Sequence, residues 1–292
     1  MADTKIAGIM RAGAYSPNHI GSDTAIMNTV AENLRKRGFE VNIYTEEQLI
    51  DGKVDENIIL NMCRERESVS ILQRKEDNGD LVINSGYGIE NCIRERMARI
   101  FAANNVPYPD SIIVNTDEII RDKMKDNGFE KVWIKRGDFH SIHNEDVTFA
   151  GDAAAAQELL QEYFLRGIER AVINQHIEGE LIKFYGILDG EFFNWHYIFK
   201  DNTSESTISS KSEVKLDIKK LKEICDNAAS VLDVKIYGGE CVVSPTGEIT
   251  IIDFNDWPSF STCRSDAALQ ITRFVMSQVK EYKQGQSKQL IN

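Results

Sequence analysis

Residues 237–254, YGGECVVSPTGEITIIDF, read as two apolar strands turned at Pro245–Gly247, and the second strand runs into Asp253, Asn255 and Asp256 before Trp257 and Pro258. A carboxylate at the end of an apolar strand is costly unless something compensates it. Residues two apart on a strand share a face, so Ile251, Asp253 and Asn255 point the same way. A hairpin turned near Thr246 sets Glu240 opposite or diagonal to Asp253. Two carboxylates and an amide oxygen then converge. That donor set suits Mg²⁺, which binds oxygen and keeps bonds to water and phosphate. The competing reading is that Asp253 and Asn255 cap a turn before Pro258; the Glu240 partner favours the metal.

The rest of the chain changes rhythm near residue 90. KIAGIM, FEVNIY, Ile58–Met62 and LVINS read as strands, with helices predicted over Asp23–Arg37 and Glu65–Lys75. This β-α-β-α-β order predicts a small parallel sheet with helices on its faces. A helix over Glu90–Ala103 leads into a part built of hairpins. VWIK and AVINQHI read as strands, and DAAAAQELLQEYF as a helix capped by Asp152. LIKFYGILDGEFFNWHYIF reads as a hairpin turned at Asp189–Gly190. Helices are expected over Asp217–Leu232 and Asp266–Tyr282, with a frayed tail, and the Ser/Thr-rich segment 200–214 reads as a mobile loop.

Composition limits the function classes. With 42% apolar and 27% charged residues in 292, the chain has enough material for two or three packed units. No apolar run reaches membrane-span length, and MADTKIAGIM lacks the basic start of a signal peptide, so a cytoplasmic protein with no membrane partner is expected. Five scattered cysteines without a C-x-x-C pair suit reduced thiols. A net charge of −12 argues against nucleic-acid partners but leaves room for a local basic pocket.

The spacing of Glu240, Asp253 and Asn255, thirteen positions and then two, resembles the metal signature of the ATP-grasp superfamily. The resemblance covers most of the chain. It implies an α/β N-terminal domain (1–89) on the substrate side, then an α+β ATP-grasp fold whose central (90–176) and C-terminal (177–292) subdomains sandwich the nucleotide. ATP and Mg²⁺, with Mn²⁺ able to replace it, are the implied cofactors, held by Glu240, Asp253 and Asn255. Arg94, in NCIRERMARIFAANNVPYPDS, resembles the cation of the family's opening helix that touches phosphate. Lys135, ending VWIK, resembles the second nucleotide lysine. INQHIEGELIKFYGI resembles the adenine hinge, with backbone groups near Gln175 and Ile177 on the base and Glu178 or Glu180 on the ribose. The family's mobile phosphate loop is usually glycine-rich; here it is RGDFHSIHNEDV, so His140, Ser141 and His143 are expected to supply side-chain donors.

The resemblance implies one of two reactions. A carboxylate–amine ligase, similar to glutathione synthetase, D-alanine–D-alanine ligase and the ribosomal-protein glutamate ligase, phosphorylates a carboxylate and lets an amine attack the acyl phosphate. A small-molecule kinase similar to inositol trisphosphate kinases is the runner-up: there a histidine follows the second lysine by five positions, as His140 follows Lys135. A regulatory module that binds nucleotide without catalysis is disfavoured by the intact metal set. The substrate is expected to be a small molecule or peptide with a carboxylate. Arg11 and His19 in the loop after the first strand, with Ser261 and Arg264 after the metal strand, are its candidate contacts, and Lys183 in the hinge hairpin, reaching the cleft, is a candidate nucleotide contact. Arg94, Lys135 and Arg264 are the candidate catalytic cations. The segment 200–214 is a candidate lid. Many members of the superfamily are dimers or tetramers, which makes a homodimer an open expectation.

Overall fold

The structure, a computed structural model, describes residues 4–17, 20–199, 207–208 and 216–289. His19 and nearly all of the candidate lid 200–214 lie outside the described residues.

The N-terminal sheet is four-stranded and all parallel, in the order β2-β1-β3-β4, from β1 (Lys5–Met10), β2 (Glu40–Thr45), β3 (Ile58–Asn61) and β4 (Leu81–Ile83). Helix α1 (Ile20–Arg35) buries Ile26, Met27, Val30 and Leu34. Helix α2 (Glu46–Ile50) starts at a capping box, in which the Thr45 hydroxyl accepts from Gln48 N and the Gln48 side chain accepts from Thr45 N. Helix α3 (Arg66–Asp77) completes the layer.

Where one helix was expected over 90–103 there are two, α4 (Gly86–Asn91) and α5 (Arg94–Ala103). Ile93 is extended, at φ −63° and ψ 129°. No glycine or proline marks this break, so the helical periodicity reads through it. Its effect is to place Arg94 in the first turn of a new helix.

The central sheet, β5-β8-β6-β7, is antiparallel and consists of β5 (Ser111–Asn115), β6 (Val132–Arg136), β7 (Val147–Ala150) and β8 (Arg170–Gln175). Strands β5 and β7 and helix α6 (Arg121–Asp126) escaped the sequence reading because four to six residues carry too little periodicity. Helix α7 (Ala153–Leu165) begins at Asp152, whose carboxylate accepts from Ala154 N and Ala155 N at 2.9 Å each.

The third sheet, β11-β10-β9-β12-β13, comprises β9 (Glu180–Ile187), β10 (Phe193–Phe199), β11 (Thr207–Ile208), β12 (Ile236–Val243) and β13 (Ile249–Asp256). Helix α8 (Ile218–Leu232) covers one face of it. The last helix, α9 (Arg264–Gln289), runs well past the expected end at Tyr282.

Two of the cores cross sheet boundaries. Met97 and Phe101 of α5 pack with Phe184, Tyr237, Phe254 and α8 under the third sheet. Tyr185, Ile187 and Ile236 of that sheet join α1, α9 and the N-terminal strands. The central sheet keeps its own core around Ile134, Leu160 and Tyr163. Phe101 is fully buried and lies edge-on to Phe254, with ring centroids 6.3 Å apart. Phe101→Ala is expected to cost about 3–5 kcal/mol of stability, read as a shift in the urea midpoint. A loss below about 1 kcal/mol would mean that α5 does not anchor this core.

Candidate active site

Register places the chemistry. Glu240 of β12 faces Asp253 of β13 on one side and Lys183 of β9 on the other, and His196 of β10 faces Lys183. Four side chains, His196, Lys183, Glu240 and Asp253, therefore form one row across four strands on one face. In the next row on that face lie Asn194, Tyr185, Gly238 and Asn255. A Cβ at the adjacent Gly239 would sit 2.3 Å from the Asp253 carbonyl oxygen and 2.6 Å from Phe184 Cζ, so only glycine lets these strands approach here.

A β-bulge follows Glu240: Cys241 pairs with Ile251, which leaves Ile252 as the extra residue. The Ile252 carbonyl accepts a hydrogen bond from Lys135 Nζ at 2.5 Å, so the end of β6 reaches across from the central sheet. Beyond it, Asp253 Oδ1 accepts from Arg94 Nη2 at 3.1 Å, and Asp253 Oδ2 from Asn255 Nδ2 at 2.8 Å. Asp256, fully buried, pairs with Arg64 at 2.7 Å. The Trp257 carbonyl accepts from Arg11 Nη2 at 3.3 Å. The chain then turns with Trp257 at φ +33° and Phe260 at φ +49°, both fully buried. Bulky residues hold positive φ only where packing over-determines them. This turn presents Ser259 and Ser261 to a cleft of 360 Å³.

That cleft gathers most of the expected residues. Arg94, His140, Ser141, Lys183, Asp253, Asn255, Arg11 and Ser261 all line it. Glu240 lies alongside, paired with Lys183 at 2.9 Å. Arg264 is not among the lining residues; it opens α9 with a buried Nε that has no hydrogen-bond partner. Arg11 lines the cleft but directs three N–H groups to Met62 O, Asp23 and Trp257 O. Its guanidinium thus fixes the turn as much as it faces the cleft.

The hinge residues lie elsewhere. Gln175 ends β8, and Ile177 and Glu178 connect it to Glu180 at the start of β9. Glu178 is exposed and pairs with Lys131 at 3.3 Å. His176 accepts from Trp133 Nε1 at 3.1 Å and packs edge-on to Phe149.

The phosphate-loop equivalent is held by side chains. Ser141 Oγ accepts from Arg94 Nη1 at 2.5 Å. Asp146, fully buried, accepts from Ile142 N at 2.9 Å and His143 N at 3.1 Å, and also pairs with Arg166. Arg64 and Asp146 were missed in the sequence. Arg64 had a signal, since it follows the C-terminal end of a parallel strand, where α/β folds place ligands.

Burial and charge set the protonation states. Burial pulls the Lys135 ammonium down to about 8, with Asp253 opposing and Arg94 reinforcing the shift. Burial alone would raise the Asp253 carboxyl, but Arg94, Lys135, the Asn255 amide and Lys183 reverse it, and the carboxyl ends below its ordinary range. Burial would likewise lower Lys183, but Glu240 overcomes it and the direction is upward. Burial, with Arg64, Arg11 and Arg94 nearby, holds His140 well below its ordinary value, so its imidazole is neutral.

No group of three His, Cys, Asp or Glu side chains suited to a metal occurs among the described residues. A cation at the row has two carboxylates, Glu240 and Asp253, and the Asn255 amide, all oxygen donors on one face of paired strands. That set fits a hard divalent ion whose other positions are filled by phosphate or water. The buried Arg94 Nε, without a partner among the described residues, is a further donor that an anion beside it would satisfy.

No protein-family model matches the sequence, and no curated protein matches it. Solved structures do match in fold. A D-alanine–D-alanine ligase from Bacillus anthracis complexed with ATP aligns at TM-score 0.73 and 16% identity, covering 97% of this chain and 99% of that one. The ATP-grasp ligase PsnB complexed with a minimal precursor aligns at 0.67 and 15%, over 94% and 99%. The D-cycloserine synthetase DcsG aligns at 0.65 and 13%, over 93% and 99%. The chain has the ATP-grasp fold. No helix among the described residues is long and apolar enough to cross a membrane.

Removing one partner of a buried pair strands the other charge. Arg64→Met is expected to cost about 3–5 kcal/mol in chemical denaturation, and adding Asp256→Asn should recover most of that loss. Additive losses in the double variant would show that the two side chains are not coupled.

Proposed function

We propose that the protein is an ATP- and Mg²⁺-dependent carboxylate–amine ligase that works through an acyl phosphate. The observation that carries this reading is the register. Glu240 and Asp253 are direct cross-strand partners, Asn255 shares their face, and Arg94 and Lys135 reach the same strand end from α5 and the central sheet. Glu240, Asp253 and Asn255 would hold Mg²⁺, which neutralises charge on the nucleotide phosphates.

The two transfers balance as follows. A substrate carboxylate oxygen attacks the γ-phosphorus, the bond from that phosphorus to the bridging oxygen breaks, and ADP leaves. An amine nitrogen then attacks the acyl carbon, the carbon–oxygen bond to phosphate breaks, and the nitrogen gives up a proton. The chain needs no covalent nucleophile. Arg94, whose guanidinium fork is split between Ser141 and Asp253, would orient a phosphoryl group. Lys135 supplies a second cation at the strand end. Ser261 and Arg11 line the same cleft and would meet the carboxylate substrate there. Neutral His140 can donate or accept a hydrogen bond there without adding charge. The likeness to a D-alanine–D-alanine ligase and to a peptide-precursor ligase supports a small-molecule or peptide acid.

The test uses Mg·ATP with pools of amino acids and short peptides, and separately with sugar and inositol phosphates. ADP and inorganic phosphate released together identify the ligase. ADP with phosphate retained on a hydroxyl would identify a kinase and overturn the reading. Glu240→Gln and Asp253→Asn should each lower kcat by about 10²–10³ with the circular dichroism spectrum unchanged. Undiminished turnover in either would sink the metal assignment.

A further inference from the structure

A second cavity, of 490 Å³, shares Arg64 and His140 with the reaction cleft and lies between α3, α5 and the segment Gly137–His140. Its lining carries five arginines, Arg64, Arg66, Arg96, Arg99 and Arg170, in a chain of net charge −12. Three carboxylates face them, Arg64 is taken by Asp256 outside the lining, and the pairing leaves Arg66 over and Glu95 shared between two cations. Glu90 takes Arg96 at 2.9 Å. Glu95 alone takes both Arg99, at 3.0 Å, and Arg170, at 2.9 Å. Asp138 is engaged at 2.8 Å by Arg136, which is not part of the lining. Arg66 has no carboxylate partner among the described residues. Its guanidinium lies 5.7 Å from the Phe139 ring centroid and otherwise reaches only the Asp138 carbonyl, at 3.4 Å. Between the cations the wall carries Val69, Ile89, Ile93 and Phe139, with Ser70 and Gln73 as its neutral polar groups.

We propose that this cavity is a second ligand site, separate from the reaction cleft, for a small organic polyanion whose carboxylate or phosphate groups sit on an apolar body. Arginine forks spaced around an aromatic floor recognise planar anions bidentately and stack on their bodies. The volume is that of a small-molecule pocket and exceeds what one inorganic anion fills. The ligand would bridge α3 of the N-terminal layer and the Gly137–His140 segment of the central sheet. That segment runs on to Ser141, which holds Arg94, so occupancy bears on the cation that faces Asp253. The site does not depend on which reaction the cleft performs.

Isothermal titration of the full chain without nucleotide tests it, with benzene-1,3,5-tricarboxylate and phenyl phosphate as probes of the two anion chemistries. One molecule per chain should bind saturably, and the tighter probe tells which chemistry the site prefers. Arg66→Ala and Arg99→Ala, both at exposed positions that the fold tolerates, should each weaken binding about tenfold. Lys183→Gln, in the reaction cleft, should leave it within about twofold. Neither probe binding up to about 10 mM overturns the proposal. So does binding indifferent to Arg66 and Arg99, or binding lost with Lys183→Gln, which would locate the anion in the reaction cleft instead.

Discussion

The end of β13 is where every part of the chain meets. Within six residues, Ile252 O receives Lys135 from the central sheet, Asp253 receives Arg94 from the first turn of α5, Asp256 receives Arg64 from the end of β3, and Trp257 O receives Arg11 from the end of β1. Each cation comes from a different segment, so the strand end can be compensated only when all of them are docked. Buried ion pairs add little net stability, because desolvation offsets the attraction. What they supply here is a penalty for misplacement: a β13 end with any one partner absent leaves a buried charge or a buried carbonyl unmet. The hub therefore fixes how the three sheets face one another.

The hairpin was legible for a physical reason. Its turn is marked by Pro245 and Gly247, and turn position alone sets Glu240 against Ile252, one position short of Asp253; the bulge at Ile252 completes the pairing of Glu240 with Asp253. What lay off that strand was harder to read. The break at Ile93 carries no glycine or proline, although it is what brings Arg94 into the cleft. Strands β5 and β7 are too short to show a period. Arg64 was invisible as a partner of Asp256 because 192 residues separate them, and no local pattern encodes a contact at that distance. Asp146 reads as one acid in a polar loop, and its burial under Ile142 and His143 emerges only once the loop is folded.

On the ligase reading, the loop 136–146 would meet phosphate by a different route. Glycine-rich phosphate loops work by letting backbone N–H groups come close to the anion. Here one glycine remains, and Gly137 N is already bonded to Arg170 O at 2.8 Å. Two further N–H groups, of Ile142 and His143, are occupied by Asp146. The side chains of Ser141, His140 and Arg94 line the cleft beside it. A loop fixed in this way gives up adaptability but needs little further ordering when an anion arrives, which lowers the entropic cost of binding.

On the ligase reading the same hub explains how a cation and a polyphosphate enter together. In the structure Asp253 is shared by Arg94 and the Asn255 amide, and Glu240 is held by Lys183. A divalent ion at the two carboxylates must displace those cationic partners, which leaves Arg94 and Lys183 without anions in a poorly solvated cleft. A phosphate chain beside the ion supplies them. Either guest alone would strand one sign of charge, whereas the two together would offer each displaced group a partner of opposite sign. The coupling thus follows from the compensation that the strand end requires when it folds.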